Sequence, residues 1–246
     1  MTTQATAESQ VKVKRDIGRL IAHGLASKLT FDQACMRAGL FNEIYLHGTI
    51  NEIIVSNIST ADFWIRPGYA HPQLQDAPGP RKKAGRSREL DFFVTPAAGR
   101  TGRSRAMEVK WTPSRHCSWG NVVSDLYRLK LIAMSEATTD CMLVLCGPRD
   151  GVTKLLDKVQ AESQKRAIGR LYEPGLVLRS AGSKTGSGGI APVDENGRFL
   201  GGDTVRERLP LGRNARRRIP TGITLQLAGE ATVGVNEWTA AVWRVS

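Results

Sequence analysis

The chain has 246 residues and a mass of 26.9 kDa, long enough for a hydrophobic core that needs neither disulfides nor a structural metal. Hydrophobic residues make 41% and charged residues 24% of it, which excludes wholesale disorder and a fibrous repeat. Lys and Arg number 35 against 23 acids, a formal charge of +12, and such a field favours a polyanionic partner, nucleic acid ahead of an anionic membrane surface.

No apolar run reaches the ~18 residues of a membrane span, and the opening MTTQATAESQVKVKRD lacks the apolar centre of a secretory signal. The expected setting is the cytoplasm, with no membrane attachment. Cys35, Cys117, Cys141 and Cys146 show no CxxC spacing and read as reduced, structural thiols. A zinc site on His116 and Cys117 has no recognisable second ligand pair.

In chain order, Val13, Ile17, Leu20, Ile21 and Leu25 fall on one face of a helix over 9–26. Thr30 with Gln33 resembles a capping box and predicts a separate short helix that stops near Gly39. A third helix is expected over 42–58, carrying Ile44, Ile50, Ile53, Ile54 and Glu52, with Gly48 as a close contact or a break. Three short segments, 62–66, 89–95 and 105–111, are rich in aromatic or branched residues and predict a meander of strands joined by basic Gly/Pro loops. A helix over 118–135 has Trp119, Val122, Val123, Leu126, Leu129 and Ala133 as its inner stripe. CMLVLCG then reads as a strand buried on both faces, which the preceding helix brings parallel to AMEVKW. A helix follows from Asp150 to about 168, then a Gly/Ser-rich and Arg-rich flap, then two alternating segments, ITLQLAG and EWTAAVWRV, that predict a closing hairpin.

Alternation of side chains along AMEVKW puts Glu108 and Lys110 on one strand face. If ELDFFV pairs with that strand, Asp91 stands beside Glu108. Two carboxylates at about 4 Å repel by about 4 kcal/mol at an effective dielectric near 20, so a proton or a cation must intervene. A hard divalent ion, Mg²⁺ or Mn²⁺, suits oxygen ligands, and Lys110 would stabilise hydroxide or transition-state charge beside it.

Asp91, a gap of sixteen residues, then Glu108-Val109-Lys110, with helical Glu52 before and a helix and apolar strand after, resembles the PD-(D/E)xK nuclease superfamily over about residues 40–147, although Leu90 stands where many members have proline. The resemblance implies an α/β fold of the restriction-endonuclease-like kind, a mixed β-sheet flanked by helices in the order αβββαβ. It also implies a Mg²⁺-dependent endonuclease (Mn²⁺ as substitute) that hydrolyses DNA, with RNA less favoured. Asp91 and Glu108 would hold metal, the Val109 carbonyl would add a ligand, Lys110 would serve the attacking water, and Glu52, with Glu43 as its rival, would complete the site. Asp125, Tyr127 and Arg128 fall where members carry a variable fourth motif.

Around this core, 40–150, the sequence predicts an N-terminal helical extension, 1–39, and a C-terminal part, 151–246, made of a helix, a basic flap and a β hairpin. Lys82, Lys83, Arg86, Arg88, Arg103 and Arg105 bracket the two strands, and Arg128 and the later Arg216, Arg217 and Arg218 add to the expected nucleic-acid contacts. His71 and His116 are general-base candidates by position only. The alternatives are surface acids paired with Lys110 and neighbouring arginines, an idle nucleic-acid-binding or assembly module on the same fold, and a homodimer or a nuclease subunit of a restriction, recombination or transposition complex.

Overall fold

The structure, a computed structural model, describes residues 16–74, 89–155, 225–234 and 237–246. Its elements are α1 (Ile17–Ala34), a 3-10 turn (Ala38–Leu40), α2 (Glu43–Asn57), β1 (Phe63–Tyr69), a second 3-10 turn (Pro72–Leu74), β2 (Leu90–Pro96), β3 (Ser104–Trp111), α3 (Trp119–Ser135), β4 (Thr139–Pro148), β5 (Leu225–Val233) and β6 (Trp238–Val245). Residues 149–155 are helical as well. The class is α/β: one six-stranded mixed sheet in the order β1-β2-β3-β4-β6-β5, flanked by helices. None of the described helices is long and apolar enough to cross a membrane.

β1, β2 and β3 form the expected antiparallel meander. β4 runs parallel to β3 in register from Ser104↔Thr139 to Trp111↔Cys146, the pairing that α3 makes possible as the crossover between them. Ser118 caps α3 by accepting a hydrogen bond from Asn121 N. Alternate residues of β4 enter opposite cores: Cys141, Leu143 and Leu145 pack on the α3 side, and Met142, Val144 and Cys146 on the α1/α2 side. A strand with helices on both faces has no wet side, which is why CMLVLC is apolar throughout.

Two expectations at the chain's ends need correction. α1 does not stop for a second helix at Thr30. The Thr30 hydroxyl bonds back to Ala26 O at 2.9 Å and also reaches Val233 O at 2.9 Å, so it ties a continuous helix to β5 instead of capping a new one. The closing hairpin is no appendage either: β6 pairs with β4 from Cys141↔Val245 to Pro148↔Trp238, and β5 forms the sheet edge. α1 lies across this hairpin, with Arg244 held to Asp16 at 2.7 Å. Ile21, Leu25 and Leu29 share a core with Ile50 and Ile54 of α2 and with Val242. Gly48 opens on empty space and does not interrupt α2. The proposed flap and the later part of the helix after Asp150 lie outside the described residues.

His71 is a core histidine. It is 1% exposed, edge-on to the Tyr69 and Phe93 rings, and its Nε2 stands 3.1 Å from Glu136. Burial lowers its pKa, against the opposing pull of Glu136. The native state therefore gives up this proton more readily than the unfolded chain, and stability is lost as pH falls below the ordinary value of 6.5. Denaturant unfolding at a series of pH values should show this acid-side loss reduced in His71→Gln relative to wild type. A second expectation concerns Gly229, where a Cβ would stand 2.6 Å from Arg19 Cα and 3.0 Å from its nitrogen. Backbone cannot yield as a flexible side chain does, so Gly229→Ala should push α1 off the hairpin and cost about 1–3 kcal/mol, read as a lowered Tm.

Candidate metal centre and its charged neighbourhood

β2 and β3 pair at Phe92↔Met107, Phe93↔Ala106 and Val94↔Arg105, and the ladder ends there. Phe92 and Val94 belong to the α1/α2-side core, whereas Leu90 joins Phe93 in the core on the α3 side. A regular strand would keep residues 90, 92 and 94 on one face, so β2 turns about its own axis at Asp91. In the gap that opens, Asp91 Oδ2 accepts a hydrogen bond from Val109 N at 2.7 Å. The side chain thus supplies the acceptor that a paired strand would have supplied.

The other carboxylate oxygen of Asp91 faces α2, with Oδ1 3.5 Å from His47 Nε2. Glu43 and His47 are four residues apart on α2 and share a face. Glu43, His47 and Asp91 each place one ligand atom within 4.8 Å of the others. The turns that carry Glu43 and His47 are anchored on both sides. Asn42 caps the helix by accepting from Tyr45 N at 2.9 Å. The Tyr45 hydroxyl donates to Asp32 of α1, which also binds Lys28 at 2.9 Å and Arg37 at 3.2 Å. The Tyr45 hydrogen bond first, then Lys28 and Arg37, hold the Asp32 carboxyl below its ordinary pKa against the cost of burial. The edge of the His47 ring meets Phe92, with centroids 5.5 Å apart.

Glu108 and Lys110 project to the α3 side of β3, where they enter an alternating chain of charges. Glu108, 2% exposed, has Oε1 2.8 Å from Arg128. Arg128 is 3.1 Å from Asp125 Oδ1, and Asp125 Oδ2 is 2.9 Å from Lys110 Nζ. Arg128 also donates to the carbonyl of Glu89, just before β2, and Lys110 donates to Val109 O at 3.2 Å. Burial foremost, with Asp125 and Asp91, raises the Glu108 pKa well above the carboxylate range, while Arg128 and Lys110 oppose the rise. For Lys110 burial works downward, but Asp125, Glu108 and Asp91 outweigh it and hold the ammonium protonated. A cavity of about 280 Å³ is lined by Glu43 of the first group and by Lys110, Asp125 and Arg128 of the second, together with Glu89 and His116.

Asp91 remains near enough to Glu108 to act on its charge, but the group of ligand atoms within 4.8 Å of one another is Asp91 with Glu43 and His47. Asp91 meets Glu43 and His47, and Glu108 lies outside that group, in contact with Arg128. The turn of β2 at Asp91 directs one carboxylate oxygen to α2, where His47 stands 3.5 Å away. Glu52 is exposed and lies nine residues, about 13 Å of helix rise, beyond Glu43. Its rival Glu43 is the helical acid beside Asp91. The Val109 carbonyl accepts from Lys110. His47 went unnoticed in the sequence, where its spacing of four from Glu43 was the available signal.

Of the expected nucleic-acid contacts, Lys82, Lys83, Arg86, Arg88, Arg216, Arg217 and Arg218 lie outside the described residues. Arg103 pairs with Asp140 at 2.8 Å, and Arg105 lies over the Phe63 ring, 5.6 Å from its centroid. Both stand at the start of β3, roughly 17–23 Å from Lys110 at about 3.3 Å per residue. In an antiparallel meander successive loops lie at opposite ends of the sheet. The β2–β3 loop is therefore distant from Asp91, and only Arg128 of the described candidates reaches the site.

Removing one member of a buried ion pair leaves the other charged and desolvated. Arg128→Met should destabilise the fold by about 3–5 kcal/mol in denaturant unfolding, and adding Glu108→Gln should recover a large part of that loss, because the abandoned carboxylate is then gone.

No protein-family description matches this chain, and comparisons with curated proteins and with solved structures found no match.

Proposed function

We propose that the protein is a divalent-metal-dependent endonuclease that hydrolyses DNA phosphodiester bonds, built on a restriction-endonuclease-like core. The resemblance to the PD-(D/E)xK superfamily rests on Asp91, Glu108 and Lys110. The element order α2-β1-β2-β3-α3-β4 agrees with the αβββαβ pattern that the resemblance implies. The observation that carries the reading is the notch between β2 and β3, where Asp91 joins Glu43 and His47 next to a cavity edged by Lys110 and Arg128.

Two carboxylates and an imidazole whose Nε2 makes no hydrogen bond fit a divalent cation. When bound, such an ion supplies charge that polarises a phosphoryl oxygen. Glu43, His47 and Asp91 would hold it. Lys110, kept protonated by Asp125, Glu108 and Asp91, cannot take a proton from water, so its part is to offer positive charge to the phosphoryl group as negative charge develops there. Arg128 adds a second cation on the same wall, and its planar fork suits phosphate oxygens. The net charge of +12 supports affinity for a DNA backbone. A DNA substrate and four free cysteines agree with a cytoplasmic setting.

One observation favours a second reading, an idle nucleic-acid-binding module: Glu108 is neutralised by Arg128 and Lys110 by Asp125, so these charges satisfy one another within the fold. Nicking of supercoiled plasmid separates the two. With Mg²⁺ or Mn²⁺ the wild type should nick and EDTA should stop it, while Asp91→Asn and Lys110→Ala should each lower the rate by about a hundredfold or more. Nicking that survives both substitutions defeats the nuclease reading. DNA binding that ignores metal and Asp91→Asn, with no nicking, supports the module.

A further inference from the structure

We infer that Glu43, His47 and Asp91 form a site for a first-row transition dication, typified by Mn²⁺, and that His47 makes the site prefer it to Mg²⁺. The inference concerns the metal site invoked for the proposed function but does not depend on the reaction.

The donor set is the first argument. An all-oxygen pair such as Asp91 with Glu108 would suit Mg²⁺, a hard ion that demands near-ideal octahedral oxygen geometry and gives up its water reluctantly. The set the fold assembles is two carboxylates and an imidazole nitrogen, with ligand atoms within 4.8 Å of one another. Carboxylates suit Mg²⁺ and Mn²⁺ alike, but an imidazole adds affinity for transition ions and little for Mg²⁺.

The state of His47 is the second argument. Its Nε2 is shielded from solvent and makes no hydrogen bond, standing 3.5 Å from Asp91 Oδ1 on the side where the carboxylates converge. A polar nitrogen shielded in this way is costly unless a partner is supplied, and a metal ion supplies one.

Preorganisation is the third. Asp91 is fixed by the Val109 amide, the His47 ring rests against Phe92, and the first turns of α2 are tied to Asp32 through Tyr45. Ligands oriented by such outer contacts lose little freedom when the ion arrives.

The test is a titration of the full chain with Mn²⁺, followed by electron paramagnetic resonance and repeated with Mg²⁺ as competitor. Mn²⁺ should bind about tenfold or more tightly than Mg²⁺. His47→Ala should lower Mn²⁺ affinity by about tenfold or more while moving Mg²⁺ affinity by less than about threefold, so that the preference disappears. Should His47→Ala fail to fold by circular dichroism, pulsed measurements on wild type serve instead, and nitrogen hyperfine coupling to bound Mn²⁺ is the expected signature of an imidazole ligand. Equal affinity for the two ions, no binding of either, or bound Mn²⁺ without nitrogen coupling overturns the inference and leaves His47 a simple neighbour of Asp91. Nitrogen-coupled Mn²⁺ without plasmid nicking sustains it and defeats the nuclease. Metal-dependent nicking without nitrogen coupling does the reverse.

Discussion

The hydrogen bond from Val109 N to Asp91 Oδ2 is the constraint on which the site depends. Val109 is fully buried in the middle of the sheet, and a main-chain amide there must have an acceptor. Where β2 turns away, the Asp91 carboxylate accepts from this amide. A hydrogen bond to a charged acceptor contributes about 1.5–3 kcal/mol, so the fold itself holds Asp91 in the gap. Only one oxygen is engaged. The other is turned toward α2, where Glu43 and His47 meet it. The break in the ladder is thus both a structural repair and the origin of the ligand group.

The opposite face of β3 handles charge differently. Glu108, Arg128, Asp125 and Lys110 alternate in sign, each within 3.1 Å of the next. Buried ions survive when every one has a partner, and here each carboxyl group stands against a cation. Because β3 carries Lys110 near its end and α3 carries Asp125 and Arg128 close by, these three members of the chain line the cavity that Glu43 also lines. Ligand group and charged wall come from different helices on different faces of the sheet, and they approach each other beyond the last β2–β3 pair, Phe92↔Met107.

Much of the architecture was legible along the chain. The inner stripe over 118–135 announced α3, and CMLVLC declared a strand covered on both faces because no polar residue interrupts it. The parity of Glu108 and Lys110 was legible too, since β3 is regular and pairs with β4 through Trp111. What failed were inferences from pattern where a distant segment decides. Thr30 and Gln33 have the spacing of a capping box, but a helix continues when a hydroxyl can bond back along it and β5 waits to receive it. Arg103 and Arg105 are close to the site in sequence and far from it in space because the strand between is extended.

The sequence by itself determined the kinds of element, their order and which residues of each regular strand face together, because these follow from local periodicity and from the steric preferences of neighbouring residues. Tertiary structure decided the rest. It placed β6 between β4 and β5, it ended the β2–β3 ladder at Phe92, and it brought Glu43 and His47 of α2 to Asp91. Those choices depend on where one strand leaves another and which turn of a packed helix lies above the gap, quantities set by the fit of whole surfaces and not by the spacing of residues along the chain.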